Sequence, residues 1–150
     1  MVQFVYNEDE TISTFVAKLQ GAEKGPERCK TIGVLDDQGR FLGGIVFYNW
    51  NPDTRVIEMS AAAVNPSWLS RRTLNRIGDF VFHECGCQLL LVYVPENKVN
   101  VLRVLAAVGF SFTRIPRLFG RNADGVLCTL ADDEWYDGRI SHGRPVEEAA

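Results

Sequence analysis

Ser70-Arg71-Arg72-Thr73 stands immediately before a helical apolar repeat, and that placement gives the four residues a chemistry. A helix N-terminus presents backbone N–H groups without intrahelical partners and the positive end of the helix dipole, so it attracts phosphates. Arginines in or just before a first turn are disfavoured there by up to about 1 kcal/mol unless an anion accompanies them. A pyrophosphate would remove that conflict, with the Ser70 and Thr73 hydroxyls as further donors. The alternative is that both guanidinium groups point into water and the helix starts a residue or two later. A second cluster, His83-Glu84-Cys85-Gly86-Cys87, carries imidazole and thiol, groups that zinc prefers. It lacks a fourth ligand and the usual wider spacing, and Cys85 falls on the apolar face of its helix, so no metal is expected. Cys29 and Cys128 have no visible base partner. With His83 and His142 the only histidines, a Cys–His nucleophile is not expected either.

The elements that must position these residues follow from hydrophobic periodicity. Val2-Gln3-Phe4-Val5-Tyr6 alternates like a short strand, and Asn7 with Glu10 forms a capping box for a helix whose stripe is Ile12, Phe15, Val16 and Leu19. Thr31 to Leu35 and Phe41 to Trp50 are strand-like runs around the turn residues Asp36-Asp37-Gln38-Gly39. After Asn51-Pro52-Asp53, residues 55–64 form a third strand, and three antiparallel strands result. From near Ser70 to Glu84 the period becomes 3.6, with Leu74, Ile77, Val81 and Cys85 on one face. Gln88 to Val94 is almost unbroken in apolar side chains, the pattern of a strand covered on both faces. Val101, Leu105 and Val108 mark another helix that Gly109 ends, and Phe110 to Arg114 and Val126 to Leu130 are two more strands. The order is β-α-β-β-β-α-β-α-β-β: an α/β (α+β) domain over residues 1–136, with residues 137–150 an exposed tail that frays or serves as a contact.

Composition excludes several classes. The chain has 150 residues, 46% of them apolar, enough for one domain to close its own core. A net charge of −3 argues against a nucleic-acid binder, whose affinity would come from excess Lys and Arg. No apolar run approaches a membrane span, and the first residues lack a signal-peptide layout, so a soluble, cytoplasmic protein with reduced thiols is expected. Charge is uneven, however. Residues 1–60 carry −3, residues 61–130 carry +4 and residues 131–150 carry −4. A small polyanion held by the middle of the chain fits that pattern, and so does solvated surface charge.

The element order and three local features resemble the GNAT (GCN5-related N-acetyltransferase) superfamily over roughly residues 2–135. The features are Val64-Asn65-Pro66-Ser67-Trp68-Leu69-Ser70-Arg71-Arg72-Thr73-Leu74, the run Val92-Tyr93-Val94-Pro95-Glu96-Asn97, and a helix ending in Val108-Gly109-Phe110. Phe80-Val81-Phe82, Cys85-Gly86-Cys87 and Glu134-Trp135 look most like the branch that acetylates ribosomal-protein N-termini. The resemblance implies a single domain with a mixed, mostly antiparallel sheet of about seven strands, binding acetyl-CoA between the strands that end near Val64 and Val94. It implies pyrophosphate contacts from Leu69, Ser70, Arg71, Arg72, Thr73 and Leu74, and backbone pairing of the pantetheine arm along Ala61, Ala62, Ala63 and Val64. Asn97, or Asn100, would hydrogen-bond the cofactor arm.

The implied reaction is direct transfer of acetyl to a primary amine in a ternary complex. An ammonium of pKa about 10.4 must lose a proton before it attacks a thioester, so a base is needed. Glu58 matches the position from which several family members supply a carboxylate, and alternation puts it on one face with Ser60 and Ala62. A carboxylate on the solvent face of the sheet is the other reading of that alternation. Backbone N–H groups near Val64 would stabilise the oxyanion. The family's loop glycines are replaced here by Arg72 and Leu74, and its acid Tyr by Leu105, so Tyr93, Tyr48 or solvent must protonate the leaving thiolate. Acidic flanks favour a cationic acceptor: a protein N-terminus, a lysine or a small amine. Self-association as a homodimer is compatible with this reading. The missing glycines and Tyr equally suit a GNAT-fold interaction or assembly module without catalysis, of a kind found in bacterial and phage genomes.

Overall fold

Alternation becomes strand, and strands pair where turn chemistry returns the chain. A computed structural model describes residues 1–145, and the chain divides into two units, residues 1–74 and those from Asn75 onward. The first unit holds β1 (Gln3–Val5), α1 (Asp9–Leu19), β2 (Cys29–Leu35), β3 (Phe41–Asn51) and β4 (Val56–Ala63). Its strands lie in the order β1-β2-β3-β4, every neighbour antiparallel. The β2–β3 turn is set by Asp36, whose Oδ1 accepts the peptide N–H of Gln38 and of Arg40, each at 2.9 Å, with Gly39 at φ +78°.

Two glycines make the seat for α1. Gly33 and Gly44 are cross-strand partners. A Cβ at Gly44 would stand 2.7 Å from Ile12 Cγ2, and one at Gly33 would stand 3.0 Å from Ile12 Cδ1. The helix therefore sits closely enough for Ile12 and Val16 to form a core with Val46. The expected capping box of Asn7 and Glu10 is not formed. Asn7 takes φ +64° in the turn out of β1, the cap falls on Glu8 without a side-chain bond, and Asp9 Oδ1 accepts the Thr31 N–H at 2.9 Å and its hydroxyl at 2.8 Å.

The second unit holds β5 (Leu89–Pro95), α3 (Val99–Val108), β6 (Ser111–Ile115), β7 (Gly125–Ala131) and α4 (Asp132–Asp137). Its strands are antiparallel in the order β5-β7-β6. α2 (Arg71–Gly78) passes into a π-helical stretch, Asp79–Glu84, closed by Cys85 N–H donating to Phe80 O at 2.9 Å and by Gly86 at φ +66°. The expected helix is there, but its second half is wound more widely. Sequence periodicity does not reveal α4, which buries Trp135 at 2% exposure, its ring 6.3 Å from that of Phe82. Gly78 lies directly under the Trp135 ring, and any Cβ there would overlap it.

Two further expectations change. β5 is not covered on both faces: Leu90, Val92 and Val94 are buried, Leu89 and Leu91 are half-buried, and Tyr93 is 38% exposed. All seven of its side chains are apolar or aromatic, so composition alone hides this alternation. Val101 leaves the buried face of α3 and is 45% exposed, whereas Leu105 and Val108 keep to it. Up to Arg144 the tail makes specific contacts. Asn75 Nδ2 donates to Ile140 O and Asn75 Oδ1 accepts the His142 N–H, both at 2.9 Å, while His142 Nε2 lies 2.9 Å from Asp79 Oδ1 and Arg144 covers the Tyr136 ring. The last five residues of the expected tail, 146–150, lie outside the described residues. Among the described residues no helix is long and apolar enough to cross a membrane.

Candidate active site

The loop after β4 is built by two successive caps. Asn65 Oδ1 accepts the Ser67 N–H at 2.9 Å and its hydroxyl at 2.7 Å, holding the 3-10 turn Pro66–Trp68. Pro66 opens that turn, where a missing N–H costs nothing. Ser70 Oγ then accepts the Thr73 N–H at 3.1 Å, and Leu74 N–H donating to Ser70 O at 3.0 Å begins the ladder of α2. Thr73 is fully buried, and its hydroxyl donates to Trp68 O at 2.7 Å. This corrects the expectation for Thr73: both its N–H and its hydroxyl tie the loop to the helix and are not offered to a ligand. Leu69 and Leu74 are half-buried beside them, and Arg71 is exposed in the first turn.

Arg72 is engaged within the first unit. Its Nε donates to Val2 O at 3.0 Å and its guanidinium lies 5.3 Å from the Phe4 ring centroid, so the side chain clasps β1. Beside it is a cleft of about 530 Å³ that includes Asp36, Asp37, Ser67 and Ser70. The Arg40 peptide N–H holds the Asp36 carboxyl below its ordinary value. Asp36 is therefore an anion at neutral pH, and a pyrophosphate entering this cleft would meet like charge. The first-turn peptide N–H groups of α2 point along the axis toward its N-terminus, where Arg71 is exposed.

The C-terminal half of β4 sorts its peptide groups by parity. Val64 N–H donates to Leu42 O at 2.9 Å, and with the unbroken register from Gly43 opposite Ala63 this places the Ala62 and Val64 N–H groups in the β3 ladder. The Ala61 and Ala63 N–H groups point away from β3. Of the four residues expected to pair with a pantetheine arm, Ala61 and Ala63 have their N–H groups outside the β3 ladder. Ala62 and Val64 do not, and the Val64 N–H is not an oxyanion donor. Which members of the run 61–64 have this direction is not legible in the sequence, because hydrogen-bond parity depends on the partner strand.

Glu58 is half-buried on the α1 side of β4, sharing that face with Ser60 and Ala62 as alternation required. Tyr48 is its cross-strand partner and packs with Ala62 on the Ile12, Val16 and Val46 cluster. Gln20, at the end of α1, donates through Nε2 to Ser60 Oγ at 2.8 Å and to Ala61 O at 3.2 Å. Asn49 Nδ2 donates to Glu58 Oε2 at 3.1 Å. Glu58 thus lies at the margin of the helix-covered face, with one oxygen held.

In the second unit, Tyr93 lies opposite Leu127, and Asn97 is exposed in the turn closed by Lys98 N–H donating to Pro95 O at 3.0 Å. Leu105 is buried at 9% exposure and offers only hydrocarbon at the position where the resemblance calls for Tyr. Cys87 Sγ lies 3.0 Å from Leu89 O, burial pushes the half-buried Cys85 thiol up, and Glu84 pairs with Arg76. Among the described residues no three His, Cys, Asp or Glu side chains are grouped to hold a metal.

No protein-family model matches the sequence, and no curated protein matches it. Solved structures do. A glutamate-to-glutamine mutant form of the spermidine/spermine N-acetyltransferase SpeG from Vibrio cholerae superposes with a TM-score of 0.73, covering 90% of this chain and 97% of that one at 15% identity. A dodecameric spermidine N-acetyltransferase from the same organism gives 0.72, with 91% and 96% covered at 14% identity. An acetyltransferase assignment from Acinetobacter baylyi ADP1 gives 0.67, with 87% and 93% covered at 14% identity. The chain has the fold of the GNAT N-acetyltransferases. At these identities the likeness establishes the fold.

Proposed function

We propose that this protein transfers an acetyl group from acetyl-CoA to a primary amine in a ternary complex. The observation that carries the reading is the likeness over nine-tenths of the chain to spermidine N-acetyltransferases, and the half-buried Glu58 carboxylate gives it a base. Glu58 takes a proton from the acceptor ammonium, the free amine attacks the thioester carbonyl carbon, and the carbon–sulfur bond breaks as the tetrahedral intermediate collapses. The Ala61 and Ala63 N–H groups are the donors oriented for the pantetheine arm or the oxyanion. Arg71 and the first turn of α2 hold pyrophosphate, and Asn97 contacts the cofactor arm. Tyr93, Tyr48 or solvent returns a proton to the thiolate, and Tyr→Phe variants at the two positions separate them. The acceptor is a small polyamine, a lysine or a protein N-terminus, in keeping with the spermidine acceptors of the neighbours and the acidic segments 1–60 and 131–150. Function in the cytoplasm and assembly into a homodimer or larger oligomer complete the reading.

A second reading has its own observations. Leu105 at the acid position, the committed Thr73 hydroxyl, and carboxylates beside Arg72 suit a GNAT-fold interaction module that has left catalysis. Calorimetric titration with acetyl-CoA separates the two. Micromolar binding, about −8 kcal/mol, that weakens at least tenfold in Arg71→Glu supports the enzyme. No heat at millimolar acetyl-CoA refutes it. Arg71 is the residue to vary, because charge reversal at Arg72 would also release β1.

A further inference from the structure

Asn49 has the wrong parity for the contact it makes. β3 and β4 pair with Tyr48 opposite Glu58 and then Asn51 opposite Val56, so β3 carries one extra residue across that interval. Tyr48 and Glu58 point to the α1 side. In a regular strand residue 49 would point to the opposite side, away from Glu58. At the bulge Asn49 instead takes φ +54°, in the left-handed region that asparagine tolerates better than other residues with a Cβ. Its amide is thereby turned back onto the Glu58 face, and Nδ2 donates to Oε2 at 3.1 Å. Glu58 Oε1 receives no hydrogen bond from the described residues.

We infer that the β3 bulge exists in this chain to aim Asn49, and that Asn49 is the positioning residue for Glu58. The inference rests on the reading of Glu58 as the base. One carboxylate oxygen is fixed by a neutral donor, which removes the freedom of the side chain to swing about its χ angles. The other oxygen faces the incoming ammonium with its lone pairs unshared. A neutral amide suits this task, since it fixes one oxygen without adding a positive charge that would repel the acceptor's, as Arg or Lys would. Asn49 touches neither substrate nor cofactor; its effect passes through Glu58.

The test is a double-mutant cycle on the full chain, using acetyl-CoA and the best amine among spermidine, a lysine peptide and a peptide with a free N-terminus. Asn49→Gly keeps the left-handed backbone and removes only the amide. It is expected to lower kcat about five- to twentyfold, with KM for acetyl-CoA and the melting temperature unchanged. In a Glu58→Gln background the same substitution is expected to change kcat less than twofold. Asn49→Asp, which keeps shape and backbone but sets like charge beside Glu58, is expected to lower kcat at least as far. If Asn49→Gly leaves kcat within twofold while Glu58→Gln is slow, the positioning role is overturned and the base reading stands. Equal losses in both backgrounds mean that Asn49 acts on the hairpin and not through Glu58, which also overturns it. An unimpaired Glu58→Gln, or no turnover with any of the amines, overturns the base reading and this inference with it.

Discussion

At the scale of single residues, burial and hydrogen bonding decide which reactive groups are available. Cys128 is fully buried in β7, and burial pushes its thiol from 9.0 to about 11. The folded state therefore favours the neutral thiol. This contribution to stability is complete below pH 9 and is lost as pH rises toward 11. The stability gap between wild type and Cys128→Ala, measured by urea unfolding, is expected to shrink by roughly 2 kcal/mol over that interval; a constant gap would show that the thiol ionises at the same pH in the folded and the unfolded chain. Ser70 accepts the Thr73 N–H and is the cap of α2. Ser70→Ala is expected to cost about 1 kcal/mol in the same measurement. Ser70 could be picked out from residue type and spacing alone, and Glu58 from the resemblance. The commitment of Arg72 to Val2 and Phe4 could not, because those partners are some 70 positions away along the chain.

Elements are held together by side chains that are missing as much as by those present. Gly78 admits Trp135 against the helix, and Gly33 with Gly44 admits Ile12 against the sheet. Gly78→Ala drives a methyl group into the indole, so a loss of about 1 to 3 kcal/mol is expected in urea unfolding. Cutting the residue at 135 down to Leu should partly restore Gly78→Ala, and an additive double variant would refute the packing account. Element existence was legible almost throughout, since the strand and helix periods differ and turn residues punctuate them. α4 was not, because its six residues supply no full apolar repeat and its stability comes from one buried Trp. The capping box at Asn7 failed for a related reason: the left-handed turn out of β1 took the residue that local chemistry had assigned to the helix.

At the scale of the whole molecule, binding of a ligand to the folded chain alone must raise its melting temperature. At acetyl-CoA one hundred times its dissociation constant the gain is about 2.7 kcal/mol, or roughly 5 to 10 °C for a chain of this size. Differential scanning fluorimetry with acetyl-CoA and with dephospho-CoA gives the size of the shift and its dependence on the phosphates. No shift with either would favour the interaction module. The sequence by itself determined the order of the elements, the α/β class and the place of the loop before α2, because these depend on periods and turn residues within a few positions of one another. It determined also that Glu58 shares a face with Ser60, since alternation needs only one strand. Tertiary structure decided which peptide N–H groups of β4 point away from β3, which hydroxyls of the loop are already engaged, and that Asn49 reaches Glu58. Each of these depends on the register of a second strand or on a partner distant in sequence, and a hydrogen bond between distant residues leaves no periodicity to read.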